Sequence, residues 1–81
     1  MNLAPNPVLD MVSISFESLV DAEMQIRFIG STSVESIVLA QVVKGFNTLS
    51  FSTKDFPPGV YTVVLQHGKD LNTLRMVKVM Y

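Results

Sequence analysis

Apolar and polar side chains alternate along most of this chain with a period of two. Val12, Ile14 and Phe16 alternate with Ser13, Ser15 and Glu17, and Met24, Ile26 and Phe28 alternate with Glu23, Gln25 and Arg27. Successive side chains of a strand point to opposite faces, so each segment predicts a strand with one face in a core and one in water. Leu49 and Phe51 repeat the pattern against Thr48, Ser50 and Ser52, and Tyr61, Val63 and Leu65 repeat it against Thr62 and Gln66. The segment from Ile37 to Val43 is nearly all apolar and predicts a strand covered on both faces. A last strand is expected from Thr73 to Tyr81 with Val77, Val79 and Tyr81 in phase, and a short additional one before Asp10. Helical periodicity is nearly absent.

Turn chemistry falls between these segments. Gly30-Ser31-Thr32-Ser33 ends the second strand, and Lys44-Gly45 lies between the third and fourth. Pro57-Pro58-Gly59 stops the chain before the fifth, because proline removes a ladder donor and glycine admits positive φ. His67-Gly68-Lys69-Asp70 predicts a hairpin loop, and the Ser/Thr-rich stretch from Ser31 to Ser36 a mobile one. Strands recurring about every ten residues predict an all-β fold, a small immunoglobulin-like β-sandwich of about six to seven antiparallel strands. Tyr61 follows the Pro-Pro-Gly corner at the start of a strand. Immunoglobulin-like sandwiches place a tyrosine there whose hydroxyl bonds back to nearby backbone; an ordinary core tyrosine is the alternative reading.

The chain has 81 residues, enough for a single domain over 1–81. Hydrophobic residues make up 48%, which supports a core and argues against disorder. Charged residues are 16% and the net charge is −1, which argues against nucleic acid, whose phosphates require a concentrated basic surface. With no cysteine, neither a disulfide between sheets nor a thiolate metal site can form. No apolar run is long enough for a spanning helix, and Met1 to Pro5 lacks the pattern of a secretory signal.

The inventory for chemistry is thin. His67 is the single histidine and lies in a predicted turn, and no serine sits in a Gly-x-Ser-x-Gly elbow. The acids Asp10, Glu17, Asp21, Glu23, Glu35, Asp55 and Asp70 are dispersed, and the pattern indicates no cleft to hold a substrate between a pair of them. One histidine and no cysteine leave too few ligands for zinc. The chain therefore reads as a non-enzyme with no cofactor or metal. A sugar-binding or spacer sandwich from a secreted enzyme or adhesin is an alternative, with Phe46, Phe56, Tyr61 and Tyr81 as the candidate aromatics. Phe56, beside two prolines, is expected to plug one end of the sandwich. The terminal strand either closes a sheet or lies at an edge, where free backbone groups are open to a partner and also allow self-association.

A set of motifs recurs in a fixed order: Pro5-Asn6-Pro7-Val8 with Asp10, then Ala22 and Ile26, Gly45 and Asn47, Phe56-Pro57-Pro58-Gly59-Val60-Tyr61, Gly68, and finally Thr73, Arg75, Val77 and Lys78. Together they resemble the type A C-terminal sorting domain of the type IX secretion system, over essentially the whole chain. Ala4 stands where the family usually has an aromatic, and the usual Asp-x-x-Gly turn is replaced by the stretch from Ile29 to Glu35. The resemblance implies an immunoglobulin-like sandwich excised from the C-terminus of a larger secreted protein. It implies a non-catalytic signal that directs a cargo from the periplasm through the outer membrane to the surface or the medium. The implied partners are the translocon, shuttle proteins and a sortase-like peptidase that cuts upstream of the domain, near or before Asn2. Thr73, Arg75, Val77, Lys78 and Val79 are the expected recognition strand. Pro5, Asn6, Pro7, Asp10, Gly45, Pro58, Gly59, Tyr61 and Gly68 are the expected structural motif residues.

Overall fold

A computed structural model describes the backbone of residues 1–31 and 34–79, and the side chains of all of these except Val34 and Glu35. The described residues form seven strands and no helix: β1 (Asn2–Ala4), β2 (Met11–Ser18), β3 (Ala22–Ile29), β4 (Val34–Val42), β5 (Gly45–Ser52), β6 (Gly59–His67) and β7 (Asp70–Lys78). They make two antiparallel sheets, one in the order β1-β2-β5 and the other β4-β3-β6-β7. The chain is an all-β sandwich. β1 is the short strand expected before Asp10.

The period-two segments bury the predicted faces. Val12, Ile14 and Phe16 of β2 meet Met24, Ile26 and Phe28 of β3 and Tyr61, Val63 and Leu65 of β6 in one core. On the opposite face of β2, Ser13 shares a hydroxyl hydrogen bond of 2.9 Å with Ser50, and Ser15 a longer one with Thr48. The wet face of this sheet is thus partly a row of cross-strand hydroxyl pairs.

Two expectations about phase are corrected. β4 is not covered on both faces: it is an edge strand, and Ile37 and Leu39 are 58% and 61% exposed. A continuous apolar run fits a central strand and an apolar edge equally well, and strand order decides between them. In β7 the core phase belongs to Leu74, Met76 and Lys78, not to Val77 and Val79. Lys78 is 3% exposed, with its long stem inside and its ammonium donating to the Val79 carbonyl at 3.2 Å. Tyr81 lies outside the described residues, as do Thr32 and Ser33 of the expected mobile loop; β4 begins within that stretch, at Val34.

One end of the core is closed by aromatic rings. Phe28 meets Phe51 and Phe56 edge to face, with centroids at 5.5 and 5.4 Å, and Phe56 meets Tyr61 at 5.5 Å. Phe56 is the end plug that its proline neighbours suggested. The Tyr61 hydroxyl donates to the Pro57 carbonyl at 2.6 Å, four residues upstream, so the corner is tied by the tyrosine. At the β6–β7 hairpin, Gly68 has φ +57° and the next residue has no positive φ. That combination is a two-residue turn whose first central position favours glycine.

Removing the Tyr61 hydroxyl leaves the ring packing in place and the Pro57 carbonyl without that donor. Tyr61→Phe is expected to lower stability by about 1–2 kcal/mol, read as a lower urea midpoint with an unchanged slope.

Candidate functional site

β7 ends its sheet, so one of its sides carries no further strand of that sheet. Backbone groups of a strand alternate between its two sides. The outward side is identified by Val77, whose N–H and C=O bond away from β6. Leu71, Thr73 and Arg75 therefore also direct their backbone groups outward.

The segment between β1 and β2 covers part of this edge. The Asn6 amide acts like a strand residue: its Nδ2 donates to the Arg75 carbonyl at 3.2 Å, and its Oδ1 accepts from the Val77 N–H at 3.0 Å. Val8, fully buried, continues the pairing. Its N–H donates to the Val77 carbonyl at 2.7 Å, and its carbonyl accepts from the Val79 N–H at 2.9 Å. The result is a short parallel bridge beside Lys78. Both prolines of this segment follow cis peptide bonds. Proline has no N–H to offer a sheet, so donors here come from Asn6 and Val8. The carbonyl of Asp10 then accepts from the Thr53 N–H at 2.8 Å, fixing the entry to β2.

The five expected recognition residues are thus divided. Thr73 and Arg75 carry exposed side chains on the uncovered half and at its border. Val77 and Val79 are half-buried under Asn6 and Val8, and Lys78 points into the sandwich. Asn6 bonds along β7, and Pro5 and Pro7 flank it with exposed side chains. Pro58, exposed, precedes Gly59, which starts β6 with φ +151°. Gly45, with φ +108°, starts β5, and its carbonyl accepts from the Asn47 amide. Asn47 also exchanges hydrogen bonds with Val43 in both directions, at 2.8 and 3.1 Å, so it holds the crossover between the sheets.

Sequence reasoning missed Thr53, which is fully buried and bonds Leu9, Asp10 and Phe56 around one corner. Only its place after the alternating stretch of β5 hints at this. It also missed a cleft of about 520 Å³ at the end of the sandwich away from the aromatic plug. Phe16, Met24 and Leu65 line it, with Glu17, His67 and Asp70 alongside. Leu71 and Asn72 line it too, which places it beside the uncovered half of β7. Among the described residues no three of His, Asp and Glu gather to hold a metal. Of the candidate sugar-stacking aromatics, Phe46 is 68% exposed, Tyr61 is buried and Phe56 is packed between rings.

The Asn6 clamp has a local signature. Asn6→Ala is expected to speed exchange of the Val77 amide by roughly tenfold, while the Val79 amide keeps its bond to Val8. Asn6→Asp keeps the acceptor for Val77 and loses the donor to Arg75, so its Val77 amide stays slow. Residue-resolved hydrogen exchange reads both.

Neither the curated proteins nor the solved structures gave a match. The model of the family described as the secretion system C-terminal sorting domain matches residues 2–79, a span that runs from β1 through all seven strands to the Val8–Val79 bond. This chain therefore belongs to the C-terminal sorting domains of the type IX secretion system, which mark proteins for export through the outer membrane to the cell surface or beyond.

Proposed function

We propose that this chain is a single, non-catalytic sorting domain of a larger secreted protein, read by the translocon and its shuttle proteins along β7. Thr73, Arg75, Val77, Lys78 and Val79 form the recognition strand. The observation that carries the reading is the divided edge. From Leu71 to Thr73 the outward backbone has no strand beside it among the described residues, and from Arg75 to Val79 it is held by Asn6 and Val8.

A partner strand adds at the open half through backbone bonds, and the Arg75 guanidinium offers a charged contact at the border. The adjoining cleft accepts an apolar side chain of the same partner. Engagement of Val77 and Val79 requires Asn6 and Val8 to release them, so a partner that takes the whole strand competes with the domain's own entry segment. The cargo reaches the periplasm first. A sortase-like peptidase then removes the domain at the surface, cutting near or before Asn2.

The test is an export assay. A signal peptide and a reporter are fused upstream of the domain and expressed in a bacterium with a working type IX system. The reporter is expected at the surface or in the medium, and in the periplasm when the translocon is deleted. Reporter held in the periplasm of both strains, with the domain folded, would overturn the sorting reading. Arg75→Glu and Thr73→Glu alter exposed side chains, and each is expected to cut export by about tenfold with the urea midpoint unchanged. Export of both variants at the parent level would move recognition away from β7.

A further inference from the structure

The other end of the same sheet is an edge of a different kind. β4 is nine residues long, contains no proline, lysine or arginine, and its one charged residue is Glu35. Soluble proteins usually guard such an edge with charge, proline, a bulge or a covering segment, and β4 has a bulge only at its start, beside Val34, with regular pairing from Ser36 to Val42. β7 has its cover in Asn6 and Val8, whereas β4 has no strand on its outer side among the described residues. Its outer face is apolar where Ile37 and Leu39 stand exposed.

The ladder fixes which backbone groups of β4 are free. β6 turns Thr62, Val64 and Gln66 toward β3, opposite Ile29, Arg27 and Gln25. β3 then bonds β4 through Met24, Ile26 and Phe28, opposite Ala40, Val38 and Ser36. The backbone groups of residues 37, 39 and 41 point outward, and a bulge at Glu35, between Val34 and Ser36, breaks the alternation before them.

The sequence of the strand reads nearly the same in both directions by chemical class. About Val38, Ile37 mirrors Leu39, Ser36 mirrors Ala40, Glu35 mirrors Gln41, and Val34 mirrors Val42. An antiparallel pair related by a two-fold axis needs that property, since residue i meets j while j meets i. With the axis at Val38, the outward groups of 37 and 39 of the two copies meet as hydrogen-bonded pairs, giving about four backbone bonds over the regular part of the strand. Ile37 of each copy then covers Leu39 of the other. Residues 36–40, over which the two copies pair, carry no charge, so no like charges meet.

We infer that β4 pairs with β4 of a second copy of this chain, antiparallel about Val38, joining two four-stranded sheets into one. A strand edge alone buries less than a standard interface, so the dimer is weak and concentration-dependent.

The register is tested without relying on affinity. The chain has no cysteine, so one introduced thiol reports alone. Facing residues of a non-hydrogen-bonded antiparallel pair have Cα atoms about 4.5 Å apart, within the roughly 4.4–6.8 Å that a disulfide spans. Under mild oxidation Val38→Cys is expected to form a covalent dimer. Ser36→Cys and Ala40→Cys are expected to cross-link when mixed and far less when each is alone. Sedimentation of the unmodified chain is expected to show a monomer–dimer equilibrium that Leu39→Lys weakens by roughly tenfold or more and Leu71→Lys, on β7, leaves unchanged. Cross-linking of Val38→Cys no faster than of the control Ser50→Cys would overturn the register. Loss of the dimer in Leu71→Lys alone would assign pairing to β7 instead. A strictly monomeric parent chain whose export is nonetheless abolished by Leu39→Lys would give the edge to a strand of the secretion machinery and overturn the second copy as its occupant.

Discussion

The fold depends on holding two sheets face to face without a covalent link. An 81-residue chain buries too small a share of its surface to leave much spare stability, and many domains of this shape add a disulfide between sheets. Here aromatic rings link the two sheets at one end of the core. Phe28 of one sheet packs on Phe51 of the other and on Phe56 of the connection, and Phe56 packs on Tyr61. The Tyr61 hydroxyl then fixes the connection itself through Pro57. One cluster thus sets the distance between the sheets and the path of the chain from β5 to β6, and the edges take their positions from it.

An open sandwich of two sheets has four edges, and this one treats them differently. β1 is only three residues long, and β5 shows mainly serine and threonine on its outer face. β7 is covered over half its length by a side-chain amide and one valine from the entry segment. β4 remains long and apolar. The two sides of one sheet are therefore suited to different contacts: a partly covered edge that a competitor can open, and a symmetric edge that matches itself.

Much of this was legible as a period of two. The inward residues of β2, β3 and β6 follow directly from alternation, and the corner before Tyr61 and the turn at Gly68 follow from proline and glycine chemistry. Legibility failed where alternation carries no information. β4 is apolar on both faces, so its pattern cannot say whether a neighbour lies outside it. From Thr73 to Val79 each face carries apolar side chains and one cation, and the buried phase went to Met76 and Lys78 because the long lysine stem counts as apolar surface. The clamp on β7 was hidden for another reason. Asn6 and Val77 lie 71 residues apart, and a side chain standing in for a strand leaves no periodic trace. The motif residues around Asn6 were visible in the sequence, and their task became visible only with strand order.

The bridge between Val8 and the end of β7 is parallel, which fixes how the molecule answers a pull on its two ends. Tension applied through the start of the chain and through Val79 acts along the bridge in opposite directions. Once the short β1 has peeled from β2, the bonds of Asn6 and Val8 to Arg75, Val77 and Val79 are loaded together, in shear. An antiparallel closure at the same place would open like a zipper, one bond after another. The entry segment therefore works as a mechanical latch: it resists traction along the chain and yields readily to a strand that replaces it from the side.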